Sequence, residues 1–307
     1  MKIYSDVSEL VGGTPLVRLG RIESKYGLNV TLLAKLESFN PGGSAKDRVA
    51  RHIIEEAERR GELTPESAII EPTSGNTGIG IALIAALRGY RAIIVMPDNM
   101  SRERQALMRA LGAEVVLTPA ALGMKGAISE AERLAAEMPH AYLLGQFTNM
   151  GNPEAHKLST GPEIYNDTDG EVDIFVSAIG TGGTVSGVSE YLKAKKPEVL
   201  VAGVEPASSP LLTEGWSATH KIQGIGANFI PRTLNTALVD RIITVEDGEA
   251  YELARELART EGILAGISSG AALAGAVRLC REAENEGKTV VVLLPDTGER
   301  YLSCDLF

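Results

Sequence analysis

A lysine stands where a turn gives way to a helix in the run Asn40-Pro41-Gly42-Gly43-Ser44-Ala45-Lys46-Asp47-Arg48. Ser44 reads as the N-cap, and Asp47, three residues on, as the acidic half of a capping box. Val49, Ile53, Ile54 and Ala57 then follow at helical spacing. Lys46 therefore sits at the positive end of a helix dipole, where its ammonium form is disfavoured. Desolvation acts in the same direction, which suits an amine that must be neutral to form a Schiff base with a carbonyl compound. A lone lysine is more often a solvated surface residue. The chemical reading requires other loops able to hold a ligand.

Three loops qualify. Glu71-Pro72-Thr73-Ser74-Gly75-Asn76-Thr77-Gly78 follows an apolar run and opens a helical one. Its hydroxyl and amide groups, with free N–H groups at the helix start, make a seat for a carboxylate, although a capped turn also favours Ser, Thr, Asn and Gly. Gly180-Thr181-Gly182-Gly183-Thr184 follows the run Ile174–Ala178. Flexible backbone and hydroxyls at a helix start suit a single phosphate group. Val185 stands where a dinucleotide fingerprint needs its third glycine, and no Gly-Lys-Ser/Thr follows, so neither nucleotide motif is present. Gly266-Ile267-Ser268-Ser269-Gly270 matches the nucleophile-elbow pattern of serine hydrolases. That order needs a later histidine, and His52, His140, His156 and His220 all come earlier. The scattered histidines and the two cysteines, Cys280 and Cys304, lack metal-ligand spacing and are too few for a disulfide framework.

The elements that must position these loops are legible as alternating apolar and helical runs. Strands are expected at 68–70, 91–97, 113–117, 141–145, 173–178, 199–204, 241–245 and 289–294. Helices are expected at 76–88, 102–111, 126–138, 153–165, 185–195, 248–261 and 270–284, with an irregular stretch over 205–240. Strands separated by helices predict α/β architecture, with mostly parallel sheets covered on both faces. In such folds ligands sit beyond the carboxyl ends of the strands, where all three loops fall. At 307 residues the chain accommodates two compact lobes, with a boundary near Gly145–Pro153. A formal net charge of −10 argues against a general affinity for nucleic acid or anionic membranes. The best apolar run, Ile79 to Leu87, is too short to span a bilayer, and the opening residues lack a signal-peptide core, so a cytoplasmic protein with free thiols is expected.

In their order and spacing, the lysine turn, the T-S-G-N-T-G and G-T-G-G-T loops and G-I-S-S-G-A resemble the fold-type II pyridoxal 5'-phosphate (PLP) enzymes. Within that group the chain is similar to the cysteine synthase, or O-acetylserine sulfhydrylase, family. The likeness runs nearly end to end, from Leu10-Val11-Gly12-Gly13-Thr14-Pro15-Leu16-Val17 through His220-Lys221-Ile222-Gln223-Gly224-Ile225-Gly226-Ala227 to Gly298-Glu299-Arg300-Tyr301-Leu302-Ser303. The resemblance implies a two-lobed, tryptophan synthase β-like fold, with a smaller, mobile lobe at 40–150 and a larger PLP-binding lobe at 1–39 and 151–307. It implies Lys46 as the Schiff-base lysine, Gly180, Thr181, Gly182, Gly183 and Thr184 around the phosphate, Asn76 on the ring hydroxyl and Ser268 on the pyridine nitrogen. Thr73, Ser74, Gly75, Thr77 and Gln146 would grip the substrate carboxylate, and Gly224 would line the mouth of the site.

The activity so implied is β-replacement, forming L-cysteine from O-acetyl-L-serine and sulfide through an α-aminoacrylate intermediate. A serine hydroxyl cannot hold a proton on the pyridine nitrogen as an aspartate would, so the ring is a weaker electron sink, favouring prompt loss of a β-leaving group. Competing readings are O-phosphoserine sulfhydrylase, cystathionine β-synthase, serine/threonine dehydratase, or a catalytically weak partner that binds the C-terminal tail of serine acetyltransferase. The resemblance also implies a homodimer. Ala45, Met150-Gly151 and Cys304 depart from the family's usual pattern.

Overall fold

A computed structural model describes residues 3–73 and 75–307. The strands are β1 (Leu16–Arg18), β2 (Thr31–Leu36), β3 (Ala68–Pro72), β4 (Arg91–Pro97) and β5 (Glu114–Thr118), then β6 (Ala141–Leu143), β7 (Val172–Ala178), β8 (Leu200–Pro206), β9 (Arg241–Val245) and β10 (Thr289–Leu294). The helices through the first half are α1 (Gly20–Tyr26), α2 (Lys46–Arg59), α3 (Asn76–Arg88), α4 (Arg102–Ala110) and α5 (Gly123–Glu137). They continue as α6 (Gly151–Ala155), α7 (Gly161–Asp167), α8 (Gly183–Lys195), α9 (Leu211–Glu214), α10 (Asp247–Glu256) and α11 (Ile267–Cys280).

The chain divides into two compact units, the opening residues through Val11 with Asn40–Asn152, and Gly12–Phe39 with Pro153–Phe307. In the first unit β5-β4-β3-β6 form an all-parallel sheet. Alternate residues of its strands feed two cores. Ile69, Ile94 and Met96 meet α2 and α3, whereas Ile70, Ile93 and Val95 meet Ala127 and Ala131 of α5. Burial on both faces is what near-continuous apolar strands of a parallel sheet require. Where α2 crosses α3, a Cβ on Gly80 would stand 2.9 Å from the carbonyl oxygen of Lys46. That glycine therefore sets how closely the two helix starts approach.

The second unit carries six strands in the order β1-β2-β10-β7-β8-β9, parallel except for the β1–β2 pair. Ile174, Val176, Val204, Val290 and Val292 pack with α10 and α11, while Phe175, Val201, Val291 and Leu293 pack with Val185, Val188 and Leu192 of α8. The α/β architecture and the parallel sheets agree with the sequence reading. Strands β1 and β2 and helix α1 lay outside it. The helix expected at 153–165 is interrupted by a π turn at His156–Thr160, just ahead of Pro162. Proline cannot donate to the helical ladder, so the turn there widens.

Candidate active site

In the first unit α2 does begin at Lys46, but its N-cap is Ala45 and not Ser44, and no side chain caps it. The capping box does not form. The Ser44 hydroxyl accepts instead from the Lys46 backbone N–H at 3.3 Å, and the buried Asp47 carboxylate accepts from Gly42 N–H at 2.6 Å. The reason lies in the turn. Gly43, at φ +75°, folds the chain back across the first turn of α2, bringing Gly42 within reach of Asp47. A Cβ on Gly42 would lie 2.5 Å from Asp47 Oδ1, so the Gly-Gly pair and the aspartate form one unit. Lys46 itself is half-buried at the head of the helix, and Ala45, the departure before it, is buried.

The residues expected to seat a carboxylate lie at the C-terminal ends of β3 and β6. Leu143 pairs with Ile70, so Glu71 and the residues after β6 emerge side by side. Glu71, buried, accepts from Gly145 N–H at 2.8 Å and from Gln146 N–H at 3.4 Å. The Thr77 hydroxyl donates to Gln146 Oε1 at 2.6 Å, and Asn152 Nδ2 donates to the Gln146 carbonyl at 2.8 Å. Thr73 is buried, with its hydroxyl accepting from Gly75 N–H at 3.3 Å. Asn76 and Thr77 open α3, which has Gly75 at its N-cap and no side-chain cap. Its first-turn N–H groups are therefore presented by glycine, as anion binding at a helix start requires. Thr73, Gly75, Asn76, Thr77 and Gln146 thus lie around one pair of strand ends. Ser74 lies outside the described residues. Burial pushes the Glu71 carboxyl up to about 7, against the backbone N–H groups of Gly145 and Gln146 and the Gln146 side chain, which pull it down.

The loop expected to cradle a phosphate belongs to the second unit. After β7 the chain turns through Gly180–Gly182 and enters α8, capped by Gly182 at φ +78° with no side-chain cap. Two glycines there are obligatory for close approach. A Cβ on Gly180 would strike the Gly224 carbonyl oxygen, and one on Gly182 would stand 2.5 Å from Leu234 Cβ. The irregular 207–240 stretch is what closes the loop: Gly226 N–H donates to the Ile179 carbonyl at 3.0 Å and the Thr233 hydroxyl to the Thr181 carbonyl at 2.6 Å. Gly224, at φ +94°, places its missing Cβ 3.8 Å from Ser268 Oγ. Gly180, Gly224 and Ser268 are thereby gathered in one place. Ser268 is buried in the first turn of α11.

Gly266 and Gly270 have packing roles, because Cβ atoms there would collide with Asp296 and with the Ala250 carbonyl respectively. The elbow-like pattern is therefore close helix packing. Sequence reasoning missed His156, whose Nε2 lies 3.1 Å from the Thr184 hydroxyl and whose Nδ1 lies 2.8 Å from Thr160 Oγ1. Its i, i+4 spacing to Thr160 was the available signal. It also left Glu71 without a role. Among the described residues no group of three or more His, Cys, Asp or Glu side chains could hold a metal ion, and no helix is long and apolar enough to cross a membrane.

A helix start capped by glycine, glycines whose side chains would fill the cradle, and neighbouring hydroxyls fit a phosphate monoester. Comparisons with known proteins give the same answer. The family model "Pyridoxal-phosphate dependent enzyme" matches residues 7–296. The chain belongs to this family. It is 50% identical to cysteine synthase A of Escherichia coli (strain K12) over 315 aligned residues, covering 100% of this chain and 96% of that one. Among solved structures, cysteine synthase from Entamoeba histolytica superposes with a TM-score of 0.96 at 46% identity, covering 100% of this chain and 91% of its own. A hydrogen sulfide-producing enzyme from Fusobacterium nucleatum gives 0.94 at 45% identity, covering 98% and 100%. The fold is that of the fold-type II PLP enzymes, and PLP is the cofactor.

Proposed function

We propose that this chain is a cysteine synthase that joins sulfide to the β-carbon of O-acetyl-L-serine with loss of acetate. The observation that carries the reading is the cradle in which Gly180, Gly224 and Ser268 are drawn together at two helix starts. Bound PLP supplies an aldehyde and an electron-withdrawing ring, against which the substrate loses its α-proton and its β-acetate. Gly180 to Thr184 would hold the phosphate, Asn76 the ring hydroxyl and Ser268 the pyridine nitrogen. The Ser268 hydroxyl is neutral and, unlike an aspartate, would not hold a proton on that nitrogen, which favours departure of the β-group. Lys46 Nζ would anchor the cofactor, and the same amine would serve as base for the substrate's α-proton.

Thr73, Ser74, Gly75, Thr77 and Gln146 receive the substrate carboxylate at the start of α3, where N–H groups and the helix dipole favour an anion. Gly224 lines the mouth. The 40–150 region acts as a smaller, mobile lobe whose closure excludes water from the reacting β-carbon. Sulfide is small, so access suffices for its entry. The active species is a cytoplasmic homodimer that also receives the C-terminal tail of serine acetyltransferase, expectations supported by likeness to the family.

Two measurements test the reading. O-acetyl-L-serine shifts the visible absorbance band of the purified holoenzyme, and a spectrum unmoved by that substrate overturns the assignment. Steady-state rates with O-acetylserine, O-phosphoserine and serine, each with sulfide or homocysteine, are highest for O-acetylserine with sulfide. A higher rate with another pair moves the assignment to the corresponding sulfhydrylase or β-synthase.

A further inference from the structure

Glu71 has a place in the structure that the site residues do not explain. It is a carboxyl group 1% exposed at the end of an interior strand of the sheet, and its partners are the backbone N–H groups of Gly145 and Gln146 and the Gln146 side chain. No ion pair is formed by Glu71 among the described residues. Burying a carboxyl group without a cation is expensive, and an apolar residue at this strand end would avoid the cost. What the carboxyl does contribute is geometric. Gly145, at φ +71°, and Gln146 follow β6 without regular structure, and Glu71 is what fixes their N–H groups. The Gln146 side chain lies beside the same carboxyl group, and its amide oxygen accepts the Thr77 hydroxyl at 2.6 Å.

We propose that Glu71 is a positioning residue for the substrate carboxylate, acting through the Gly145–Gln146 turn to hold the Gln146 amide against Thr77. The proposal rests on the reading of Thr77 and Gln146 as carboxylate-binding residues. Glu71 never touches the substrate. By fixing the Gly145 and Gln146 N–H groups it sets where the Gln146 side chain starts, and a carboxylate nearby favours the amide orientation that leaves the oxygen for Thr77. Replacing one carboxylate oxygen by an NH₂ group sets a donor against the Gln146 N–H and lets the amide turn over. The interaction lost is one made with substrate in the ground state and in the transition state alike, so it appears in KM and not in kcat.

The test uses the full-length holoenzyme and the variants Glu71→Gln, Gln146→Ala and the double variant. Glu71→Gln raises KM for O-acetyl-L-serine about 10-fold, as expected for one misplaced hydrogen bond, while kcat and KM for sulfide stay within about 2-fold. The concentration of L-serine that half-saturates the absorbance change rises by the same factor, a readout independent of turnover. In the Gln146→Ala background the added Glu71→Gln change has less than a 2-fold effect, since residues acting as one unit are not additive. A full 10-fold effect in that background overturns the proposal, because Glu71 is then acting through the fold at large. If Gln146→Ala raises KM and Glu71→Gln does not, the role of Glu71 alone fails. If Gln146→Ala leaves KM and L-serine binding unchanged, the carboxylate reading and the proposal fall together.

Discussion

Two strands end in the same dipeptide, Glu71-Pro72 on β3 and Glu205-Pro206 on β8, one in each unit. Both glutamates are buried, and both accept from backbone N–H groups of a segment beyond the strand end. The difference is in the donors. Glu205 receives Leu212 N–H at 2.8 Å, Thr213 N–H at 2.9 Å and the Thr213 hydroxyl at 2.6 Å, all from the start of α9. Its carboxyl group thus meets three short hydrogen bonds at a helix start. Glu71 receives one short and one long N–H bond with the Gln146 side chain, and burial outweighs them, lifting its carboxyl to about 7. Motif and burial alone do not tell these two carboxyl groups apart. Donor count and donor distance do.

The largest effect that sharpens this contrast lies on the chemical side of the first unit. Lys46→Ala is expected to lower turnover by at least about 10³-fold, as loss of the proposed general base and cofactor anchor requires. The fold persists, because α2 is held by Val49, Ile53, Ile54 and Ala57 and not by the lysine head. Circular dichroism like the parent's with absent product formation is the expected pair of results. Activity within about 10-fold of the parent would assign the proton to another group.

The next effect reads Glu71 through pH. A carboxyl raised from 4.5 to about 7 on folding binds its proton more tightly in the native chain than in the unfolded one. Its contribution to stability is therefore fully present below pH 4.5 and is lost as pH rises to about 7, on the order of 3 kcal/mol at most. Glu71→Gln removes the titration. The urea midpoint of Glu71→Gln relative to the parent is expected to rise between pH 5 and pH 8, whatever its offset at pH 5. A difference that stays flat across that window shows that Glu71 does not titrate there. A gain in stability at pH 8 alongside weaker substrate binding would set the positioning role apart from a merely structural one.

Much of this was legible because parallel sheets buried on both faces write themselves as apolar runs. The strand at 91–97 and the helix at 76–88 have the bounds their sequence indicates. The glycine cradle was legible too, since Gly180 and Gly182 stand at a strand-to-helix junction where few other residues would serve. The short edge strand β1 and its partner β2 were not, because Leu16–Arg18 has only three residues and an exposed face. The capping at Ser44 was misread for a local reason. The sequence offers Ser44 and Asp47 at capping-box spacing, but Gly42 and Gly43 bend the chain so that Asp47 is taken from the other side. Gly151, atypical by sequence, is accounted for by packing, since a Cβ there would stand 2.9 Å from Ile53 Cγ1 on α2. His156 and Glu71 were given no role because the neighbours that define one, Thr184 and Gln146, lie far along the chain, and the i, i+4 spacing of His156 to Thr160 is the one local trace.

The smallest effect is the control that could break the comparison. Glu205→Ala strips α9 of its acceptor and leaves the Leu212 and Thr213 N–H groups and the Thr213 hydroxyl seeking partners. Loss of a helix cap of this kind costs about 1–2 kcal/mol. Water can reach the partly exposed Leu212, which places the expected cost toward the lower end. The urea midpoint should fall, with KM for O-acetyl-L-serine within about 2-fold of the parent's. That is the reverse of the pattern expected for Glu71→Gln, in which stability at high pH rises and KM worsens. Should Glu205→Ala also raise KM about 10-fold, both strand ends would be tuning substrate binding. The distinction drawn from their donors would then be one of degree, with α9 joining the Gly145–Gln146 turn as a support of the site.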